Sequence, residues 1–299
     1  MNMPHTKTPL KYSLAYWYFK KDFTSVNDLF WLLECQSDLF KHMLEVYNIE
    51  TPLSDIIKIQ RKNLSKYPKN LEIYNDRFLN FNILSYYYIV VCLCSSFEVY
   101  IKSIFSAALT YNPILLDGCA SFDVMKYIKY GNAQFDKRMK KKLDNFTKGT
   151  WDTRAKNIMN TFGVLNAVFS QDIIDKLDIL RKYRNSASHT FMKELDSIDY
   201  TSIFSAIEMQ KISNTDIIDA MTTIYNIANK IDNLIVDDNI KIVEFLFFIK
   251  KELPASILEK IRLNPGLYSV YKTKLYKKLG GEAIANANLQ NLVKYYINI

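Results

Sequence analysis

The residues with the clearest capacity for chemistry are Arg184, Asn185 and His189, near the end of a leucine-rich stretch. In helical spacing Asn185 and His189 are about 40° apart and share a face, while Arg184 lies about 140° from His189. The reach of the arginine would bring guanidinium and imidazole toward one groove. Histidine titrates near neutral pH and arginine stays charged, so the group could move a proton and hold an anion.

Arg184 also interrupts an apolar pattern. Ile173, Leu177 and Leu180 form a helical stripe whose next positions are 184 and 187, where Ala187 fits and Arg184 does not. Because an unpaired buried guanidinium is costly, we expect Arg184 to have an anionic partner or to face a cleft.

The elements that position this group are predicted to be helices. The stripe predicts a helix over 170–189, with Ser170 as its N-cap. A segment without glycine or proline predicts a long helix over 71–110, and an amphipathic pattern capped by Thr215 predicts another over 215–235.

Shorter or less regular segments surround these helices. Residues 1–22 are expected to form an irregular arm, followed by a helix over 28–47 that Ser25 caps. Helices are also predicted over 53–65 and 152–162.

The composition favours an all-α fold. Seven glycines and seven prolines in 299 residues are about 5%, against an average near 12%. So few turn formers argue against a sandwich, a barrel or a loop-rich sheet, and 49% hydrophobic with 23% charged residues argues against global disorder.

Cysteine and histidine usage points to a protein without a metal or a disulfide framework. The four cysteines form no CxxC pair, and the chain has three histidines, so we expect no zinc site and a reducing, cytoplasmic location. We expect no signal peptide at the N-terminus. Residues 81–97 are uncharged but interrupted by tyrosines and serines, which predicts a buried helix rather than a membrane span.

The segment from Arg184 to His189 resembles the Arg-Asn-x3-His form of the motif of HEPN ribonucleases. The segment Ser95–Lys102 is similar to the acidic, aromatic-flanked part of the long HEPN helix, and Phe162-Gly163 also resembles members of this group. The resemblance covers roughly residues 72–235 and implies a HEPN-like helical bundle, with residues 1–71 as an N-terminal helical extension and 236–299 as a basic C-terminal one.

The resemblance also implies an activity. HEPN ribonucleases are dimeric, place two motifs face to face in a composite active site, and cleave RNA without metal or other cofactor. His189 would then act as general base or acid, Arg184 would clamp the scissile phosphate, and Asn185 would fix the tautomer of His189 or contact the phosphate. Glu98 would support Arg184 by pairing with it; the alternative is an i,i+4 surface bridge from Glu98 to Lys102.

The basic charge of the chain is concentrated in two stretches. Residues 136–156 carry a net charge of +5 and residues 250–299 a net charge of +6, within a total of +8. The first stretch is the better candidate for an RNA backbone track, with Phe146 and Trp151 as candidate base-stacking residues; the alternative is a solvated lysine face. The candidate RNA-binding residues are Lys137, Arg138, Lys140, Lys141 and Lys142.

From this resemblance we expect a metal-independent endoribonuclease that acts as a bacterial toxin or antiphage abortive-infection effector. The predicted partners are RNA, a second copy of the chain and a regulatory or antitoxin protein, with no membrane. Two alternatives remain open: a non-catalytic HEPN module that binds RNA, nucleotide or a protein, and a helical regulatory protein whose motif is accidental.

Overall fold

In the computed structural model, every regular element of the described residues is helical, which confirms the all-α fold class. The structure describes residues 12–57, 66–116, 123–189 and 211–278, together with 291, 293, 294 and 296. The α-helices are α1 (Leu14–Val46), α2 (Leu53–Ile56), α3 (Leu71–Tyr111), α4 (Val124–Tyr130), α5 (Ala133–Thr147), α6 (Trp151–Thr161), α7 (Gln171–His189), α8 (Asn214–Ile235), α9 (Asp238–Glu252), α10 (Ala255–Leu263) and α11 (Tyr268–Lys278).

The chain divides into two compact units that interleave in sequence. The first unit comprises Met1–Lys21, Phe97–Asp175 and Asn226–Ile299, and the second comprises Asp22–Ser96 and Lys176–Tyr225. The predicted sequential segments 1–71, 72–235 and 236–299 stay a prediction.

The core of the first unit includes aromatic side chains on two helices and on the turn after α6. Phe105 of α3 lies against Phe146 of α5 and stacks on Phe162, with ring centroids 5.2 Å and 4.9 Å away. All three rings are buried. Burial of such large rings dominates core energetics, so this cluster fixes α5 and α6 against the long helix.

The prediction of an irregular arm over residues 1–22 is wrong from Leu14 onward, because α1 begins there. The carboxylate of Glu244 accepts hydrogen bonds from the backbone N–H groups of Leu14 and Ala15, at 2.9 Å and 3.0 Å. Ser13 donates its hydroxyl and backbone N–H to Asp232. A helix N-terminus leaves such N–H groups unsatisfied, and here side chains more than 200 residues away satisfy them.

Ser25 therefore lies inside a helix and does not begin one, which corrects its predicted role as an N-cap. Ser13 and Tyr16, near the true start, are buried, and the ring of Tyr16 lies 6.0 Å from that of Tyr100. Tyr16 thus belongs to the core of the first unit.

Other predicted boundaries agree closely with the structure. The long helix, predicted over 71–110, is α3, and the helix predicted over 170–189 is α7. The helix predicted over 215–235 is α8, although Ser213 rather than Thr215 accepts the backbone N–H of Asp216. Of the helix predicted over 53–65, α2 forms the first turn, and residues 58–65 lie outside the described part of the chain.

Among the described residues, α3 is the one helix long and apolar enough to span a membrane, with a mean hydropathy of 1.6 in its most apolar window. In that window 44% of the residues are buried within the protein, a pattern that a core helix of a globular domain also gives. The cytoplasmic location stays a prediction.

Candidate functional site

The motif helix α7 is held by an apolar face directed at its neighbours. Ile174, Leu177 and Leu180 are buried, and Arg184 follows Leu180 after one turn, at a half-buried position. The predicted apolar stripe and its interruption by Arg184 are thus both present. The one difference is at the start of the stripe, where Ile174 is buried and the predicted Ile173 is half-buried.

Contacts from α3 and α8 hold α7 at two points within the second unit. The ring of Tyr183 meets that of Tyr87 edge-on at 6.1 Å, and the ammonium of Lys176 lies 3.2 Å from the carboxylate of Asp219. Burial, helped by the charge of Asp216, raises the pKa of Tyr183, so this phenol stays neutral at physiological pH. The contact of Tyr183 with Tyr87 therefore lies directly beside the motif, whereas the Lys176 pair lies about two turns before it.

The three motif residues occupy the last turns of one continuous helix. Arg184 and Asn185 are half-buried, and His189 is the last residue of α7. From helix geometry, the backbones of Asn185 and His189 are about 6 Å apart along the axis and about 40° apart around it. The side chain of His189 and residues 190–210 lie outside the described part of the chain. The predicted approach of the Arg184 guanidinium and the His189 imidazole therefore stays a prediction.

Glu98 makes an ion pair that the sequence analysis did not identify. One of its carboxylate oxygens accepts a hydrogen bond of 3.0 Å from Arg154, and the two side chains are 22% and 5% exposed. The Arg154 Nε also donates to the carbonyl of Gly149 at 3.0 Å, and its guanidinium lies 4.9 Å from the ring centroid of Trp151. Glu98 thus balances a buried cation within the first unit, while its predicted pairing with Arg184 stays untested.

Arg154 was counted in the basic stretch 136–156, but the structure removes it from any RNA-facing surface. Phe146 and Trp151 are buried as well, Trp151 stacked on Phe97 at 5.7 Å, so neither ring is available to stack on bases. The sequence contains one indication of the contact between Trp151 and Arg154. They are three residues apart on α6, a spacing that places side chains side by side on a helix.

Five of the seven remaining basic residues of this stretch lie on α5. Phe135, Met139 and Phe146 bury the opposite side of the helix, which turns Lys137, Lys140 and Lys141 outward, with Arg138 and Lys142 half-buried beside them. We call these five residues the lysine face. Its members are the predicted RNA-binding residues, and the structure places all five on the same helix of the first unit.

The carboxyl of Asp144, at the end of α5, lies among several cations. The hydrogen bond from Lys148, at 2.9 Å, lowers the pKa of this carboxyl, and the charges of Lys102 and Lys140 lower it further. Lys102 comes from α3 and was not among the predicted RNA-binding residues. It extends the positive field of the lysine face beyond α5.

A second group of titratable side chains lies at the N-terminus of α1, far in sequence from the motif. Burial raises the pKa of Glu244 to about 7, against the opposing effect of its two backbone hydrogen bonds, and the nearby Asp232 adds to the rise. Burial also raises the pKa of Asp232. The positive charge of Lys241 opposes this rise by lowering the pKa of both carboxyls.

Within the described ranges, no three His, Cys, Asp or Glu side chains come together as metal ligands would. The comparisons with protein-family models, with curated proteins and with solved structures found no match to this chain. The functional reading therefore depends on the residues themselves.

Proposed function

We propose that this protein is a metal-independent endoribonuclease that cleaves RNA through attack of a ribose 2′-OH on the adjacent phosphate. The observation that carries the proposal is the continuity of α7 through Arg184, Asn185 and His189, in the Arg-Asn-x3-His spacing that resembles HEPN ribonucleases. The all-α fold and the lysine face support it.

In the proposed mechanism His189 takes the proton of the 2′-OH, or gives one to the leaving 5′-oxygen from the other copy of a homodimer. The new 2′-O–P bond forms as the P–O5′ bond breaks, which leaves a 2′,3′-cyclic phosphate and a 5′-hydroxyl. Arg184 stabilises the charge on the phosphorane, because its forked donors match phosphate oxygens. Asn185 hydrogen-bonds His189 and fixes its tautomer, or contacts the phosphate directly. No metal or other cofactor takes part.

The test is incubation of the purified full chain with total RNA in EDTA, followed by analysis of the ends. We expect cleavage that leaves 5′-hydroxyl termini. His189→Ala should lower the rate by about 100- to 10,000-fold, because it removes the proton-transfer group. Arg184→Ala should lower it by about 100- to 1,000-fold, because it removes the transition-state cation.

The matched control is Arg181→Ala, on the same helix and one turn before the motif. The half-buried Arg181 donates to Asp178 at 2.8 Å, so its guanidinium is already paired within α7 and cleavage should persist at the native rate. Equal losses in Arg181→Ala and Arg184→Ala would refute the assigned role of Arg184. Cleavage that persists in His189→Ala would refute the mechanism.

The lysine face favours a second candidate function, a non-catalytic HEPN module that binds RNA. Lysines supply sequence-independent affinity for phosphates whether or not the motif is active. Saturable RNA binding by the native chain, with no cleavage product in EDTA or in Mg²⁺, would select this function.

The proposed biological role is that of a bacterial toxin or an antiphage abortive-infection effector, restrained by a regulatory or antitoxin protein. Expression of the native chain should arrest growth, whereas the His189→Ala form should not. Arrest by both forms would separate the toxicity from RNA cleavage.

A further inference from the structure

Helices α4 and α5 meet at a tight turn in the first unit. Gly131 and Asn132 alone connect them. Gly131 has a φ of +75°, a backbone conformation that favours glycine, and it ends α4. The side chain of Asn132 accepts the backbone N–H groups of Gln134 and Phe135 and thereby begins α5. We call residues 124–142 the α4–α5 corner.

The buried side of the α4–α5 corner holds the two helices together. The ring of Tyr127 lies 4.5 Å from that of Phe135 and 6.2 Å from that of Phe247 on α9. The Tyr127 hydroxyl also donates to the carboxylate of Asp136 at 2.6 Å. The side chains on the outer side of the corner therefore project from a backbone that packing and hydrogen bonds fix in place.

The α4–α5 corner carries most of the net charge of the protein. Its 19 residues contain seven cations and one carboxylate, a net charge of +6 in a chain with a total of +8. The cations are Lys126 and Lys129 of α4 and the five residues of the lysine face. A concentration of charge of this sign attracts a polyanion, and phosphate contacts give affinity without reading sequence.

An exposed aromatic ring lies among these cations. Tyr130, the last residue of α4, is 69% exposed. It follows the exposed Lys126 by four residues, so the two side chains share a face of α4. The ammonium of Lys129 lies 5.6 Å from the centroid of the Tyr130 ring. Tyr130 thus has the exposure for base stacking that the buried Phe146 and Trp151 lack.

The combination of one open ring with surrounding cations favours an unpaired nucleic-acid strand. A membrane-binding helix would present a broad apolar face, whereas Val124, Ile128 and Met139 of the corner are buried. An RNA duplex offers phosphates but keeps its bases stacked on each other. A single strand offers both phosphates and bases that can stack on an aromatic side chain.

We infer that the α4–α5 corner binds single-stranded RNA, with one base stacked on Tyr130 and the neighbouring phosphates on Lys126 and the lysine face. The inference rests on the proposed function for the nature of the ligand, and it adds a stacking residue and a preference for unpaired strands. Every residue of this surface belongs to the first unit, whereas Arg184 and His189 belong to the second. Binding and cleavage can therefore be measured separately.

The test compares three fluorescein-labelled 12-nucleotide ligands by fluorescence anisotropy with the full-length protein at 100 mM NaCl. They are an unpaired 2′-O-methyl RNA of mixed sequence, the duplex of that strand, and an abasic strand with the same phosphates. The 2′-O-methyl group removes the attacking hydroxyl, so the proposed nuclease cannot cut the strand during the measurement. The native protein should bind the unpaired strand at least about fivefold more tightly than the abasic strand, because only the former can stack.

Variants locate the stacking contact. Tyr130→Ala should weaken binding of the unpaired strand about 5- to 150-fold and change binding of the abasic strand and the duplex less than about twofold. Tyr130→Phe keeps the ring and should retain binding. The matched control is Tyr88→Ala, at a tyrosine that is 60% exposed within the uncharged stretch 81–97, and it should leave binding unchanged. Circular dichroism checks that each variant is folded.

The phosphate contacts have a separate readout. Lys126→Gln should weaken the unpaired and the abasic strand by the same factor, because both carry the same phosphates. It should also reduce the log–log salt slope of single-strand binding by about 0.7. An unchanged slope would remove Lys126 from the proposed surface.

Three results would overturn the inference: no saturable binding of the unpaired strand, equal binding of the unpaired and abasic strands, or equal losses in Tyr130→Ala and Tyr88→Ala. Equal binding of the two strands would mean that the corner is a general polyanion surface, such as an acidic protein would also fit. Cleavage of the unmodified strand, measured in parallel, separates the two proposals. Stacking on Tyr130 without cleavage would support this inference and refute the nuclease, whereas cleavage without stacking would do the reverse.

Discussion

The ion pair between Glu98 and Arg154 allows the sharpest test of what Glu98 does. Glu98→Gln keeps the shape and one acceptor oxygen of the side chain but removes the charge opposite a guanidinium that is 5% exposed. Loss of one partner from a fully buried pair costs about 3–5 kcal/mol, and a hydrogen bond to a charged group is worth about 1.5–3 kcal/mol. Because Glu98 is 22% exposed, water replaces part of the lost interaction, and we expect a loss near 2 kcal/mol.

A double-mutant cycle isolates this interaction. Arg154→Met removes the buried charge and keeps an apolar stem against Trp151, so Glu98→Gln should cost little in its background. The coupling free energy of unfolding should therefore be about 1.5–2 kcal/mol, measured from urea denaturation followed by circular dichroism. The matched pair Asp152 and Lys156, also on α6, is 2.8 Å apart but 46% and 67% exposed, and its coupling should stay below about 0.5 kcal/mol.

Two outcomes would refute this reasoning. A coupling for Glu98 and Arg154 no larger than that for Asp152 and Lys156 would mean that burial adds nothing to the pair. A Glu98→Gln variant with native stability but reduced RNA cleavage per folded molecule would place Glu98 at the active site, as its predicted pairing with Arg184 requires.

Three further results are expected. Because the pKa of Glu244 is raised to about 7 from an ordinary 4.5, ionisation of this carboxyl opposes folding. The free energy of unfolding should therefore fall by about 3 kcal/mol as the pH rises from about 4.5 through 7. Glu244→Gln should flatten that pH dependence, measured by urea titrations at several pH values. Lys137→Gln with Lys141→Gln should reduce the salt dependence of single-stranded RNA binding by about 0.7 per lost phosphate contact in log–log slope, whereas Lys41→Gln on acidic α1 should not. Leu177→Ala on α7 should lower the free energy of unfolding by about 2–5 kcal/mol, because it opens a cavity beneath the motif helix; a loss below 1 kcal/mol would contradict that packing.

Several elements followed from local sequence alone. Residues 71–110 lack glycine and proline and have a high apolar content, and α3 extends over nearly the predicted range. The stripe through Leu177 and Leu180 predicted α7, which ends at His189 as expected. In both cases the signal is periodic and lies within the element itself.

The start of α1 depends on both a local and a distant contact. The Ser13 hydroxyl accepts the backbone N–H of Tyr16, but the N–H groups of Leu14 and Ala15 are satisfied by Glu244, which is 230 residues from Leu14 in sequence. The predicted cap, Ser25, lies twelve residues after Ser13. A distant contact also explains why the sequence did not separate the buried Arg154 from the exposed Lys156 in the basic stretch. Arg154 is paired with Glu98, which is 56 residues away.

The sequence by itself determined that this chain is helical, where its longest helices run, and that Arg184, Asn185 and His189 fall on one turn-and-a-half of a single helix. These properties depend on the spacing of apolar residues and on backbone propensity, and both are set by residues close together in the sequence. Only the tertiary structure decided which charges are buried and which rings stay exposed: Arg154 is enclosed, the lysine face is not, and Trp151 is buried whereas Tyr130 is exposed. Burial depends on which distant segments meet, because desolvation and pairing are set by contacts across the fold rather than along the chain.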